Sequence, residues 1–318
     1  NNVFIGCKSG TALTSGTDNI ALGQLALGGA TVTGAYNVVL GKSAGSLITS
    51  GGSNIMLGYC AGKCATTGSC NIFLGMEAGK GASSSGVTGH NNYGIGCYSL
   101  SGLTSGCFNL AMGPASGEKL TTGKYNILFG RNAGCALTTT LSNIAIGNDS
   151  LAQNGGTHNV VMGTFAGRGT GTPADNDASY NVALGYLAGC GLTDGDNNVI
   201  IGMDAGKTVT TGSNNIALGR LAMSCGTVTG DHNYAIGYYA LHCITSGTRN
   251  VAFGSGAGNG LTTGCANVFI GNQAGVTDVD GSYQVFIGQY SGFNMNGCEN
   301  IAIGCYTLKG SSTPTNNT

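Results

Sequence analysis

Three Asp-x-Asp pairs are the side chains best suited by type to acid-base catalysis: Asp175 with Asp177, Asp194 with Asp196, and Asp278 with Asp280. That chemistry needs two carboxylates held in a shaped pocket. Each pair instead lies among Gly, Thr or Asn in a turn-like stretch, so all are expected to be solvated turn residues. Calcium is the sharper alternative for paired carboxylates, but the glycine-aspartate nonapeptide of calcium-binding repeats is missing. His90, His158 and His232 sit in segments that are not neighbours, and His242 stands alone. No metal is expected on them unless three chains gather identical histidines on an axis. Thirteen cysteines, an odd number, fall at several repeat positions, which argues for free thiols. Cys225 and Cys243 occupy adjacent segments, near enough to bond if those segments stack about 4.8 Å apart. No doubled Cys-x-x-Cys arrangement suggests structural zinc. There is no Gly-x-Ser-x-Gly elbow beside a strand-to-helix signal and no complete phosphate loop. No catalytic residue, cofactor site or metal site is assigned, and the chain is not expected to be an enzyme.

Composition points the same way. Of 318 residues, 60 are glycine and only 3 are proline, so the strict period and abundant proline of collagen are excluded. Hydrophobic residues still make up 41%, too many for a disordered chain. The 12 basic and 13 acidic residues are scattered singly, leaving no basic stripe to neutralise a phosphate backbone, so nucleic acid is not an expected partner. Polar residues or glycines interrupt every apolar run, so no membrane insertion is expected. The chain opens on Asn1 already in repeat phase, and its targeting is not legible in the sequence.

The positions that remain informative form a repeat. Asn, apolar, any, apolar, Gly recurs from Asn2, Asn19, Asn37 and Asn54 through Asn126, Asn198 and Asn250 to Gln284 and Asn300. These eighteen copies are spaced about 17 residues apart. Two intervals are longer, and their extra residues, at 81–90 and 169–180, read as outward loops. The fourth residue after the anchor is always glycine, as at Gly23, Gly58, Gly130, Gly202 and Gly254, which signals a backbone turn that needs positive φ. The seventh is always small. A Leu, Ile or Val followed by Thr and then Gly closes many copies and reads as a second strand with its turn. The expected fold is all-β: a parallel β-solenoid, β-roll or β-helix, of about 18 coils over residues 1–308, followed by a polar tail or linker at 309–318. Stacking at about 4.8 Å per coil gives a rod on the order of 85 Å long. The anchors Asn19, Asn54, Asn126, Asn198 and Asn250 would form an amide ladder.

Period-two alternation places the first and third residues after each anchor, such as Ile20 and Leu22, on one face. They are expected to fill the coil. The intervening residue then faces outward, yet it is Phe4, Phe73, Leu128, Ile200, Phe269 or Phe286 in several copies. A strand apolar on both faces is buried on both, and with no helix to cover it the expected cover is another copy of the chain. A homo-oligomer around a shared axis follows, read as a trimer, with those six residues at its interface. The recurring threonines Thr14, Thr33, Thr49, Thr66, Thr104, Thr121, Thr138, Thr210, Thr245 and Thr262 suggest either an ice-binding row or, on the favoured reading, support for a turn.

Asn-Asn-Ile-Ala-Leu-Gly at 214–219 and Asn-Ile-Ala-Ile-Gly at 143–147, with the Ala-Gly that follows in other copies such as Ala78-Gly79, resemble the head repeats of trimeric autotransporter adhesins. They are more similar still to arrays in tail-fibre and spike proteins of phages and large viruses. The resemblance covers essentially the whole chain, although this repeat is about three residues longer than the usual adhesin head repeat. It implies a rigid trimeric shaft, extracellular or on a cell or virion surface, supporting attachment to a receptor or glycan. A purely structural filament and an ice- or carbohydrate-binding solenoid are the alternatives.

Overall fold

The computed structural model describes residues 1–82, 86–171, 176–295 and 297–310. Parts of both long intervals, Asp175, and the tail beyond residue 310 lie outside these. Eighteen parallel three-residue strands, one per coil of about 17 residues, make a β-solenoid, with no helix among the described residues. The chain divides into two compact units, Asn1–Thr157 and His158–Thr318. The first carries β1 (Val3–Ile5) through β9 (Ile144–Ile146) and the second β10 (Val160–Met162) through β18 (Ile301–Ile303). Parallel strands need a crossover to return to the same edge, and here the rest of each coil is the crossover. Register within each unit is constant, Ile20 beside Val38 and Val199 beside Ile216, so equivalent positions stack.

Three devices hold the stack. The first is the anchor ladder. Asn54 donates its backbone N–H and its Nδ2 to Asn37 Oδ1 at 3.1 and 3.0 Å, and Nδ2 also to the Gly68 carbonyl at 3.0 Å. Asn126, Asn198 and Asn250 repeat the pattern. A buried amide left unpaired would cost about 1–3 kcal/mol; here each amide bonds both to the coil before it and to its own coil's closing turn.

The second is the corner glycine. Gly23, Gly58, Gly130, Gly202 and Gly254 have φ of 130–137°, a region closed to side chains. A Cβ on any of them would press on the backbone of the next coil's corner glycine. The third is a set of left-handed corners that are mostly not glycine. Lys8, Glu77, Asn132 and Tyr290, six residues past their anchors, have φ of 55–57°, as do Asp18, Ser142 and Asn197 just ahead of theirs. Hydrogen bonds between coils, such as Glu77 N–H to the Tyr59 carbonyl at 2.9 Å, keep them there.

The strands face the opposite way from the expectation. Their middle residues are buried in every strand but the terminal β1, and their first and third residues in none. Phe73, Leu128, Ile200, Phe269 and Phe286 are fully enclosed inside the coils, with Phe4 partly covered at the open end, so none is available as an oligomer interface. The physical reason lies in the ladder: period two puts the anchor amide and the middle residue on the same face. The amides are buried, and the middle side chains go in with them. The second correction concerns the expected second strand. Only isolated bridges form there, for example Leu13 with Val32 and Val209 with Val228. One carbonyl often takes two N–H groups from the neighbouring coil, as Thr66 does from Thr49 and Gly51 at 2.9 and 3.1 Å, so a regular ladder cannot extend.

Candidate functional site

Turning the strand inside out moves the exposed apolar surface to its first and third residues. In every strand these are Val, Ile, Leu, Met, Phe or Tyr, and all are half-exposed or exposed. Each unit therefore presents two adjacent apolar rows of nine side chains with no charge among them. Exposed aromatics flank the rows at the left-handed position ahead of the anchor: Tyr36, Phe108 and Tyr125 in the first unit, Tyr180 and Tyr283 in the second. Phe108 and Tyr125 stack at 5.3 Å, as do His158 and Tyr180 at 4.9 Å. The coil interior is already full without these rows, so the fold alone does not account for them.

The threonine row stays half-exposed or exposed, but most of its hydroxyls bind the backbone. Thr14, Thr49, Thr104, Thr121, Thr245 and Thr262 donate their hydroxyls to carbonyls of the following coil at 2.8–3.2 Å. Those protons are committed to the backbone, which fits turn support better than a regular array offered to ice.

The acidic pairs separate. Asp196 Oδ1 accepts the Ser179 N–H at 2.7 Å, a turn role. Asp278, by contrast, is completely buried, which corrects its expected place as a solvated turn residue. It occupies the interior position filled by Leu103, Leu120, Leu137, Ile244 and Leu261 in other coils, eleven residues past the anchor. Its oxygens accept from Gly281 N–H at 3.0 Å and from Gln284 Nε2, the one anchor that is not asparagine. Burial pushes its carboxyl up to about 7 from the ordinary 3.8, opposed by the Gly281 hydrogen bond and reinforced by Asp280. The folded chain then holds this proton up to about pH 7, whereas the unfolded chain releases it near 3.8. Stability contributed by the neutral carboxyl is complete below 3.8 and is lost as pH rises through 7. Asp278→Asn is expected to abolish that loss, raising the urea midpoint at pH 8 while leaving it nearly unchanged at pH 4. Equal midpoints of variant and parent at both pH values would contradict the assignment.

His242 does not stand alone. One of its ring nitrogens and the sulfurs of Cys225 and Cys243 lie within 4.8 Å of one another on the outside of two adjacent coils. Burial and the neighbouring Cys225 push the Cys243 thiol up to about 11. The two cysteines share a repeat position, ten residues past Asn215 and Asn233, which the sequence displays. That His242, one position earlier, turns toward them needed the corner geometry. Nearby, Tyr238, Tyr239, Asn259, Gln273 and Phe293 help line a shallow pocket of about 250 Å³. His90 takes another role, its Nδ1 accepting the Ser69 N–H at 3.0 Å.

Among the described residues no helix is long and apolar enough to cross a membrane. Architecture and surface together define a repeat protein of the β-solenoid class. No protein-family model matches the chain, and no curated protein does either.

Proposed function

We propose that this chain is a segment of a structural fibre, extracellular or on a cell or virion surface, in which three copies join through the apolar rows of their sheets and so support attachment to a receptor or glycan. The observation that carries the reading is the pair of uncharged rows left outside a coil whose interior is already packed. Eighteen side chains per unit, each leaving on the order of 50 Å² in water, amount to roughly 900 Å², about one partner's share of a standard protein interface. That exceeds the roughly 300–600 Å² of the largest apolar patch on an ordinary monomer. A second copy suits the face better than an unrelated partner. It carries the same relief at the same coil spacing and brings no charge that would have to be desolvated. The resemblance to adhesin heads and viral fibres favours three copies over two. Joining apolar faces also supplies stability that a thin coil lacks, since few of its side chains lie far from water.

Solution mass tests the reading. The chain is expected at three times 31.5 kDa and to resist dilution. The paired substitution Ile55→Lys and Ile201→Lys places a charge on each unit's face, at residues 38% and 37% exposed, so the fold should survive. Assembly is expected to weaken at least a hundredfold, because an unpaired buried charge costs several kcal/mol. A parent that stays monomeric at high concentration refutes the shared face, and a stable dimer refutes the three-fold arrangement.

A further inference from the structure

We infer that Cys225, Cys243 and His242 form a binding site for a thiophilic divalent metal ion of the zinc type, built on the surface of two adjacent coils of the second unit. Two sulfurs and an imidazole nitrogen are the donor set that borderline-soft transition metals prefer over calcium or magnesium. Tetrahedral zinc, with bonds of about 2.3 Å to sulfur and 2.0 Å to nitrogen, sets its ligand atoms roughly 3.5–3.8 Å apart. Here all three already lie within 4.8 Å of one another, so side-chain rotation closes the set without moving the backbone.

The scaffold is rigid where it must be. Cys225 N–H donates to the His242 carbonyl at 2.9 Å and Cys243 N–H to the Asn259 carbonyl at 3.1 Å, which fixes the spacing of the two cysteines. The imidazole is oriented from behind. Its Nδ1 lies 3.0 Å from the Leu221 carbonyl and 2.9 Å from Ser224 Oγ, and the Tyr239 ring packs edge-on against it with centroids 4.5 Å apart. With Nδ1–H donating to the Leu221 carbonyl, the lone pair available to a metal is on Nε2. A protein oxygen holding the second ring nitrogen is the usual way a metal-binding histidine is fixed. Cys225 is exposed, so water can reach the cluster and supply a fourth ligand. Three protein ligands and one open position distinguish this site from the closed four-ligand zinc centres that hold small domains together.

The competing use of the same atoms is a disulfide between Cys225 and Cys243, and one experiment separates the two. The full chain is reduced, stripped with a chelator and titrated with Co²⁺ under argon. One equivalent is expected to bind with thiolate-to-cobalt charge-transfer absorption and to be displaced by Zn²⁺. That signal should vanish in the double variant Cys225→Ser, Cys243→Ser, which also subtracts binding by the other eleven cysteines. His242→Gln is expected to raise the cobalt dissociation constant at least tenfold with an unchanged circular dichroism spectrum. The same absorption in the double variant, or no response to His242→Gln, overturns the site. So does a Cys225–Cys243 cross-linked peptide that survives excess reductant.

Discussion

Gly58→Ala is expected to lower the stability of the first unit by about 3 kcal/mol or more, although it adds a single methyl group. Two costs combine. At φ of 136° the backbone lies where only glycine rests easily, a strain of about 1–3 kcal/mol for any other residue. The new Cβ would also sit 2.5 Å from the Gly75 oxygen and 2.7 Å from its carbonyl carbon. Those are backbone atoms of the next coil, themselves hydrogen-bonded, and they cannot yield as a side chain can. Overpacking of this kind adds about 1–3 kcal/mol. The control is Gly256→Asn. Gly256 is also left-handed, at φ of 68°, but its Cβ would meet only Gln273 Cγ at 3.3 Å. The equivalent residues Lys8, Glu77, Asn132 and Tyr290 show that the position accepts side chains. Urea midpoints should fall sharply for the first variant and stay within about 0.5 kcal/mol of the parent for the second, as surface substitutions do. Similar losses for both would mean that left-handed geometry alone, not the approach of the neighbouring coil, excludes alanine.

This contrast explains which parts of the fold are legible in the sequence. The corner occupied by Gly58 admits one residue type, so it repeats in every copy and marks the period. The corners at Lys8 and Asp18 are equally left-handed, yet hydrogen bonds between coils stabilise them and any side chain can point into water. Their composition is free and leaves no trace. Coil length, strand placement and the asparagine ladder are therefore readable, whereas the path between strands is not. The interior face is a different case. Alternation separates Ile55 and Leu57 from Met56 without saying which set is inside. The signal that decides it was present: a buried amide at Asn54 must share its face with Met56. The Cys225, His242 and Cys243 cluster falls between these extremes. The repeat position shared by the two cysteines is visible, but the turn that brings His242 beside them belongs to the corners that leave no mark.

The interior carries a second signature that repays a direct test. Position eight past the anchor is glycine where the middle strand residue is large: Gly10 with Phe4, Gly62 with Met56, Gly79 with Phe73, Gly275 with Phe269 and Gly292 with Phe286. Where that residue is Ala or Gly it is Leu or Met in six coils of nine, among them Leu27 with Ala21, Leu100 with Gly94, Leu151 with Ala145, Met223 with Ala217 and Leu241 with Ala235. A Cβ on Gly79 would collide with the Phe73 ring, so the two positions contend for one volume. Where both are small, as at Ala111 with Gly117, a Cβ on the glycine would meet Leu128 and Leu100 of the adjacent coils at 2.9 and 3.0 Å, which fill the space instead. Phe73→Ala is expected to cost about 3–5 kcal/mol, the range for emptying an enclosed aromatic site. Gly79→Leu alone should also destabilise, by about 1–3 kcal/mol, through overpacking against the ring. Together they should recover at least about 2 kcal/mol of the summed loss, a coupling of the size seen between residues in contact. The double variant should still rest at least about 1 kcal/mol below the parent, because leucine must adopt the left-handed backbone. Its new leucine would stack beside Leu100, as Met223 and Leu241 already do in adjacent coils that carry Ala217 and Ala235. Additive losses in the double-mutant cycle would show that the two side chains do not share one cavity, and the packing rule inferred for every coil would fail with them.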